Sequence, residues 1–150
     1  MDIELQLNTL LADTYRALEA FEEKMMKKSG QSALSINEIH AIEIISRDEG
    51  RTITDIANDL GLTLSSVTTA VARLEKKGFV ERKRISSDRR HVHVFLTENG
   101  DTINRLHKRF HKRMTKQMLE GFSQEEVEAL LRAITRLNSY FKAKSAATEK

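Results

Sequence analysis

The chain has 150 residues, no cysteine and no proline, with 31% charged and 39% hydrophobic side chains and a net charge of +3. That is room for one domain or two small lobes sharing a core, and it excludes disulfides, cysteine-ligated zinc, thiol redox sensing and a disordered chain. The charge is uneven: residues 1–51 carry 6 Lys/Arg against 10 Asp/Glu, and residues 52–121 carry 14 against 8. A basic middle suggests an anionic partner, of which nucleic acid is the commonest.

The N-terminal "MDIELQLNTL" is acidic and lacks the basic start of a secretory signal. No apolar stretch approaches the ~20 residues that span a bilayer. A cytoplasmic location without a membrane partner is therefore expected. Residues 3–28 read as one long helix, because Leu7, Leu10, Leu11, Tyr15, Leu18, Phe21 and Met25 recur at spacings of three and four. "KKSG" supplies the basic last turn and the glycine that end it. Ser35 with Glu38 three residues on forms a capping box for a second helix carrying Ile36, Ile39, Ile42 and Ile45 and stopping near "RDEG".

Thr52 or Thr54 caps a short third helix with Ile53, Ile56, Ala57 and Leu60 inward, and Gly61 breaks it. Thr63 caps a fourth, 63–77, whose inner stripe is Leu64, Val67, Val71 and Leu74. Two helices joined by a short glycine turn make a helix-turn-helix. "FVERKRI" and "HVHVFLT" alternate as strands do, with "SSDR" as the turn of a hairpin. A helix from about Glu98 to Gly121 follows, with Ile103, Leu106, Phe110, Met114 and Met118 on one face. Ser123 and Glu126 box the last helix, whose stripe is Val127, Leu130, Leu131, Ile134, Leu137 and Phe141, and the tail "KSAATEK" is expected to fray.

The outer face of the 63–77 helix shows Ser65, Ser66, Thr68, Thr69, Ala72, Arg73 and Lys76. Small hydroxyl residues let a helix approach DNA closely, reaching phosphates and base edges, and a threonine methyl can touch a thymine methyl. A merely solvated face would favour Glu, Lys and Ala over the β-branched "SSVTTAV". The hairpin adds Arg84, Arg89 and Arg90 near its tip, a charge that suits phosphates or a narrow minor groove. The expected DNA-contacting set is Thr63, Ser65, Ser66, Thr68, Thr69, Arg73, Lys76, Arg84, Ser87, Arg89 and Arg90. Asp88, an acid among these cations, is expected to brace the wing by pairing with Arg90 or Arg89.

The helix-turn-helix, the run "DRRHVHVFLTENG" and two closing helices resemble the MarR family of winged helix-turn-helix regulators. The family motif D-x-R, five residues, then L-T and a glycine falls on Asp88, Arg90, Leu96, Thr97 and Gly100. The resemblance implies a mainly α fold with a small β-hairpin wing and N- and C-terminal helices that interlock two subunits. It divides the chain into a dimerisation helix (1–34), a winged DNA-binding lobe (35–97) and a linker helix with a C-terminal dimerisation helix (98–150). Apolar stripes at both ends of the chain, beside a central lobe with its own small core, also suit a homodimer. Twofold symmetry would then present two reading heads to a palindrome.

Within the family, "INEIHAIEII", "LTLSSVTTAVARLEKKGFVERKR" and "RLHKRFHK" are similar to the FabT-like repressors of fatty-acid synthesis genes. That likeness implies a palindromic operator and tighter binding when acylated acyl carrier protein is present. An acyl chain needs an apolar slot, and Phe21, Met25, His40, Ile44, Phe110 and Met114 are the candidates where the first, second and fifth helices would meet. An acidic carrier would use a basic surface within residues 52–121. The alternatives are release from DNA by a small aromatic ligand, a zinc-responsive regulator, or a non-specific architectural DNA-binding protein; the Ser/Thr face argues against the last. No cofactor or metal is expected. His107 and His111 have the i, i+4 spacing of metal ligands but no acid beside them in a recognised pattern, and Lys and Arg surround them. They are expected to be packing or DNA-proximal residues. No glycine-rich phosphate loop and no Ser-His-Asp arrangement points to an enzyme.

Overall fold

The computed structural model describes residues 2–30, 33–46, 50–85 and 92–148. The elements are α1 (Ile3–Lys28), α2 (Ile36–Ile45), α3 (Ile53–Leu60), α4 (Leu64–Lys76), β1 (Val80–Arg84), β2 (Val92–Leu96), α5 (Glu98–Met118) and α6 (Gln124–Thr148). The fold is mainly helical with one antiparallel hairpin, as expected. Residues 1–108 and 109–150 form two compact units.

Caps set the helix boundaries. Asp2 accepts from the Glu4 N–H at the start of α1. Ser35 and Glu38 make the full reciprocal box at α2. At α3 the cap is Thr52, with Asp55 as box partner. Gly61 ends α3 in the left-handed region at φ 64°, where a side chain would be strained. Ser123 and Glu126 box α6. The sequence expected fraying from Lys144 onward, but α6 runs on to Thr148. Its last turns are Ala- and Lys-rich, which favours continued helix.

The core of the first unit gathers Ile39, Ala41, Ile42, Ile44 and Ile45 of α2, Ile56 and Ala57 of α3, Val67, Val71 and Leu74 of α4, and Val80 and Val94 of the hairpin. Leu64, expected inward, is exposed at the first turn of α4. The α1 stripe also lies outside this core. Leu7, Leu10, Leu11, Tyr15, Leu18 and Phe21 are exposed, and α1 buries Glu22 and Met26 instead.

Val80 pairs with Leu96 and Arg84 with Val92 in the hairpin register. A single residue extends this sheet. The Arg51 N–H donates to the Val94 carbonyl at 3.0 Å, and the Arg51 carbonyl accepts from the Val94 N–H at 2.8 Å. The hairpin then hands over to α5 through the L-T-x-x-G part of the motif. The Thr97 N–H donates to the Phe79 carbonyl (3.1 Å) and its hydroxyl to the Gly78 carbonyl (2.7 Å), while Thr97 Oγ1 accepts from the Gly100 N–H (3.2 Å). A Cβ on Gly100 would collide with the Phe79 carbonyl, so glycine there lets strand and helix meet.

One buried ion pair ties α4 to α2. Glu38 is 4% exposed. Lys77, the residue that ends α4, donates to both Glu38 carboxylate oxygens (2.9 and 2.8 Å) and to the Ala33 carbonyl (2.6 Å). The Ser35 N–H supplies a further donor at 2.8 Å. Burial pushes the Glu38 carboxyl up, but the hydrogen bonds from Lys77 and Ser35 and the Lys77 charge outweigh it and hold it below its ordinary 4.5.

A depressed carboxyl stabilises the fold fully above its unfolded pKa, and the contribution disappears as pH falls through the folded value. Glu38→Gln is therefore expected to cost about 2 kcal/mol near neutral pH. The gap in melting temperature from the wild type should close as pH drops below the ordinary value of 4.5. Thermal melts of both chains across that range check this, and a gap unchanged with pH contradicts the ion-pair account.

Candidate nucleic-acid interface

The inner side of α4 is fixed by Val67, Val71 and Leu74, all essentially buried. Helical spacing then turns Ser65, Ser66, Thr68, Thr69, Ala72, Arg73 and Lys76 outward, and all are exposed. Thirteen residues give this helix a length of about 20 Å, enough to lie in a major groove.

The threonine hydroxyls are not free donors. Thr68 donates to the Leu64 carbonyl (2.7 Å) and Thr69 to the Ser65 carbonyl (3.0 Å). Thr63 Oγ1 accepts from the Ser66 N–H (3.2 Å) and donates to Ser66 Oγ (2.9 Å). The bonds to residue i−4 give a run of poor helix formers a local way to satisfy their hydroxyls inside a helix. Thr68 and Thr69 therefore present acceptor lone pairs and methyl groups to a partner. Spacing alone leaves the direction of these protons open.

The basic residues sort into two groups. Arg51 pairs with Asp59 at 2.6 Å, Lys77 with Glu38, Arg82 with Glu75 at 3.4 Å, and Lys83 with Glu81 at 2.6 Å. Lys83 also stands 5.4 Å from the Phe95 ring centroid. Among the described residues Arg73, Lys76 and Arg84 have no such acid, and all three are exposed. The strand alternation puts Arg84 on the same face as Val80 and Arg82, and Arg82 reaches Glu75 of α4. Ser87, Asp88, Arg89 and Arg90 lie outside the described residues, and the expected bracing of the wing by Asp88 lies there too.

The candidate acyl-chain residues divide between the units. In the first, Ile44 is buried, Met25 and His40 are half-buried and Phe21 is exposed; Phe110 and Met114 belong to the second and are half-buried. A groove of about 600 Å³ in the first unit is lined by other residues, among them Met26, Leu34, Ile36 and Ile39 with Lys27 and Lys77. A polar cluster in this unit has no local sequence signal. His40 Nε2 lies 3.5 Å from Glu22 Oε2, His107 Nδ1 lies 3.6 Å from Glu43 Oε2, and the two imidazole centroids are 5.9 Å apart. Glu22 and His107 are buried, at 3% and 1% exposure. His107 is buried in this unit, and carboxylate and imidazole are donor types that a divalent cation takes.

The MarR family model matches residues 34–92, the span from the start of α2 to the start of β2. The crystal structure of Streptococcus pneumoniae FabT in complex with DNA is 35% identical, with a TM-score of 0.89, over 93% of this chain and 98% of that one. The chain belongs to the MarR family. Its similarity to the HTH-type transcriptional regulator PchR of Bacillus subtilis (strain 168) is 29% identity over 93% of this chain and 83% of PchR. An uncharacterized HTH-type regulator of the same bacterium, YwhA, is 34% identical over 64% of this chain and 69% of its own length. This MarR-family chain is a DNA-binding transcriptional regulator and not an enzyme.

Two outcomes follow for the α4 face. Arg73→Ala and Lys76→Ala should each weaken binding about equally across sequences. Each should lower the slope of log affinity against log salt by about one, as loss of one phosphate contact does. Thr68→Val keeps a branched methyl and removes the hydroxyl's acceptor lone pairs, so it should change the ranking of operators less than Thr68→Ala does. Anisotropy titrations on an operator and its single-base variants measure both. Equal loss on every variant contradicts base reading by Thr68.

Proposed function

We propose that this regulator is a homodimeric repressor of fatty-acid synthesis genes that reads a palindromic operator and binds it more tightly in the presence of acylated acyl carrier protein. The likeness to FabT over nearly the whole length of both chains carries the reading. The stretches that resemble FabT-like repressors include the α4 face and the basic middle of α5, residues 105–112. In this reading α4 enters the major groove, Arg84 with Arg89 and Arg90 of the wing follows the backbone or the minor groove, and Arg73 and Lys76 engage phosphate.

Dimerisation is supported by the uncovered apolar faces of two helices. On α1, Leu7, Leu10, Leu11, Leu18 and Phe21 are 40–56% exposed, and on α6, Leu131, Ile134 and Phe141 are 53–65% exposed. Contiguous apolar faces of this kind mark association surfaces. A twofold dimer sets two copies of α4 against successive major-groove segments of a palindrome.

A second reading is favoured by the cluster of Glu22, His40, Glu43 and His107: a zinc-responsive regulator of the same fold. Carboxylates beside imidazoles would orient the rings of a ligating histidine.

Fluorescence anisotropy on a palindromic fragment from a fatty-acid synthesis promoter separates these readings. The protein is titrated alone, with long-chain acyl carrier protein, with the unacylated carrier, and with zinc. Tightening by the acylated carrier only is the expected result. Specific binding indifferent to both carriers but altered by zinc would favour the second reading. Indifference to all three would remove both and leave a DNA-binding regulator with another effector.

A further inference from the structure

The second half of α5 carries Arg109, Lys112, Arg113 and Lys116, and no acid lies between Arg109 and Leu119. At 3.6 residues per turn the four fall within an arc of about 100° and along about 10 Å of helix. All four are exposed. Phe110 and Met114, at the other helical phase, are half-buried.

Four cations elsewhere on the outer helices are neutralised along their own helix. Arg16, Lys27, Arg105 and Arg132 each sit beside an acid three or four residues away, Asp13, Glu23, Asp101 and Glu128. Among the described residues, none of the four ridge cations has such a partner. The ridge instead stacks like charges at i, i+3 and i, i+4: 109 with 112 and 113, and 116 with 112 and 113. Such pairs destabilise a helix. An external anion would relieve that repulsion.

The composition favours a protein as that anion over a duplex. The α4 face mixes cations with Ser, Thr and Ala, whose small side chains permit close approach to a groove. The ridge offers long, flexible cationic side chains related by steps of three (109–112, 113–116) and four (109–113, 112–116). That pattern matches carboxylates at the same steps on a convex acidic helix.

We infer that Arg109, Lys112, Arg113 and Lys116 form the docking surface for an acidic protein partner, the acyl carrier protein of the proposed function, separate from the DNA-reading cations Arg73, Lys76 and Arg84. The assignment rests on that proposed function. Docking of this kind is steered by charge, so it is fast and falls steeply with salt.

The test uses the full-length chain and its Lys112→Glu/Arg113→Glu and Lys112→Gln/Arg113→Gln variants. Binding of palmitoyl-loaded acyl carrier protein is measured at two salt concentrations, and operator binding is measured without carrier. The expected result is a loss of carrier affinity of about tenfold or more for the Glu variant and a smaller loss for the Gln variant. Operator affinity without carrier should stay unchanged, which also shows that both variants fold. Equal carrier affinity in all three chains overturns the docking surface and leaves the proposed function standing. Loss of operator affinity without carrier in the Gln variant assigns the ridge to DNA or to folding and overturns it too. If the wild-type chain binds no carrier at all, the proposed function fails and the assignment falls with it.

Discussion

A carboxylate cannot stay charged inside an apolar core without a cation and hydrogen-bond donors, and Glu38 receives them from one direction. Lys77 reaches it from the end of α4, and the Ser35 N–H meets it at the start of α2. The C-terminal end of α4 is thereby pinned to α2. Its N-terminal end is pinned by the Thr63 cap and the left-handed turn at Gly61. Between these ends Val67, Val71 and Leu74 fix the rotation about the axis. The outward aim of Thr68, Arg73 and Lys76 is a result of these constraints.

Paired and unpaired cations stand side by side on α4 and the hairpin. A count of charge over residues 52–121 credits every lysine and arginine to a partner. Of those, Lys77, Arg82 and Lys83 are engaged within the fold, as is Arg51 just before the span, and they fasten α2, α4 and the hairpin, with Arg51 joining α3. Among the described residues of α4 and β1 the charge left without an acid is that of Arg73, Lys76 and Arg84, fewer side chains than the count suggests.

Much of this was legible in the sequence because it is local. Helix starts announce themselves within four residues, as Ser35 with Glu38 and Ser123 with Glu126 do. Inner stripes repeat at helical spacing, and the hairpin alternates. What escaped depends on distance along the chain. Glu38 and Lys77 are 39 residues apart, and Arg51 joins the sheet as a single residue with no alternation around it. The Glu22, His40, Glu43 and His107 cluster draws on three helices, so an i, i+4 search for ligands finds only part of it. The apolar stripe of α1 was read correctly as a face, but periodicity does not say what covers a face. Proton direction on Thr68 and Thr69 is likewise a matter of atoms and not of spacing.

The uncovered leucines of α1 make protein abundance a thermodynamic variable of the fold. Apolar area left in water is a standing penalty until something removes it. If a second copy removes it, the assembled state gains on the separate chains as their concentration rises. Two linked α4 helices then engage a palindrome with the effective concentration of a tethered pair, where lone chains would bind each half-site on their own. Occupancy of the operator would follow cellular dosage more steeply than a one-to-one binder allows. A modest change in synthesis or degradation of the chain would therefore be amplified at the promoter without any change in the residues that touch DNA.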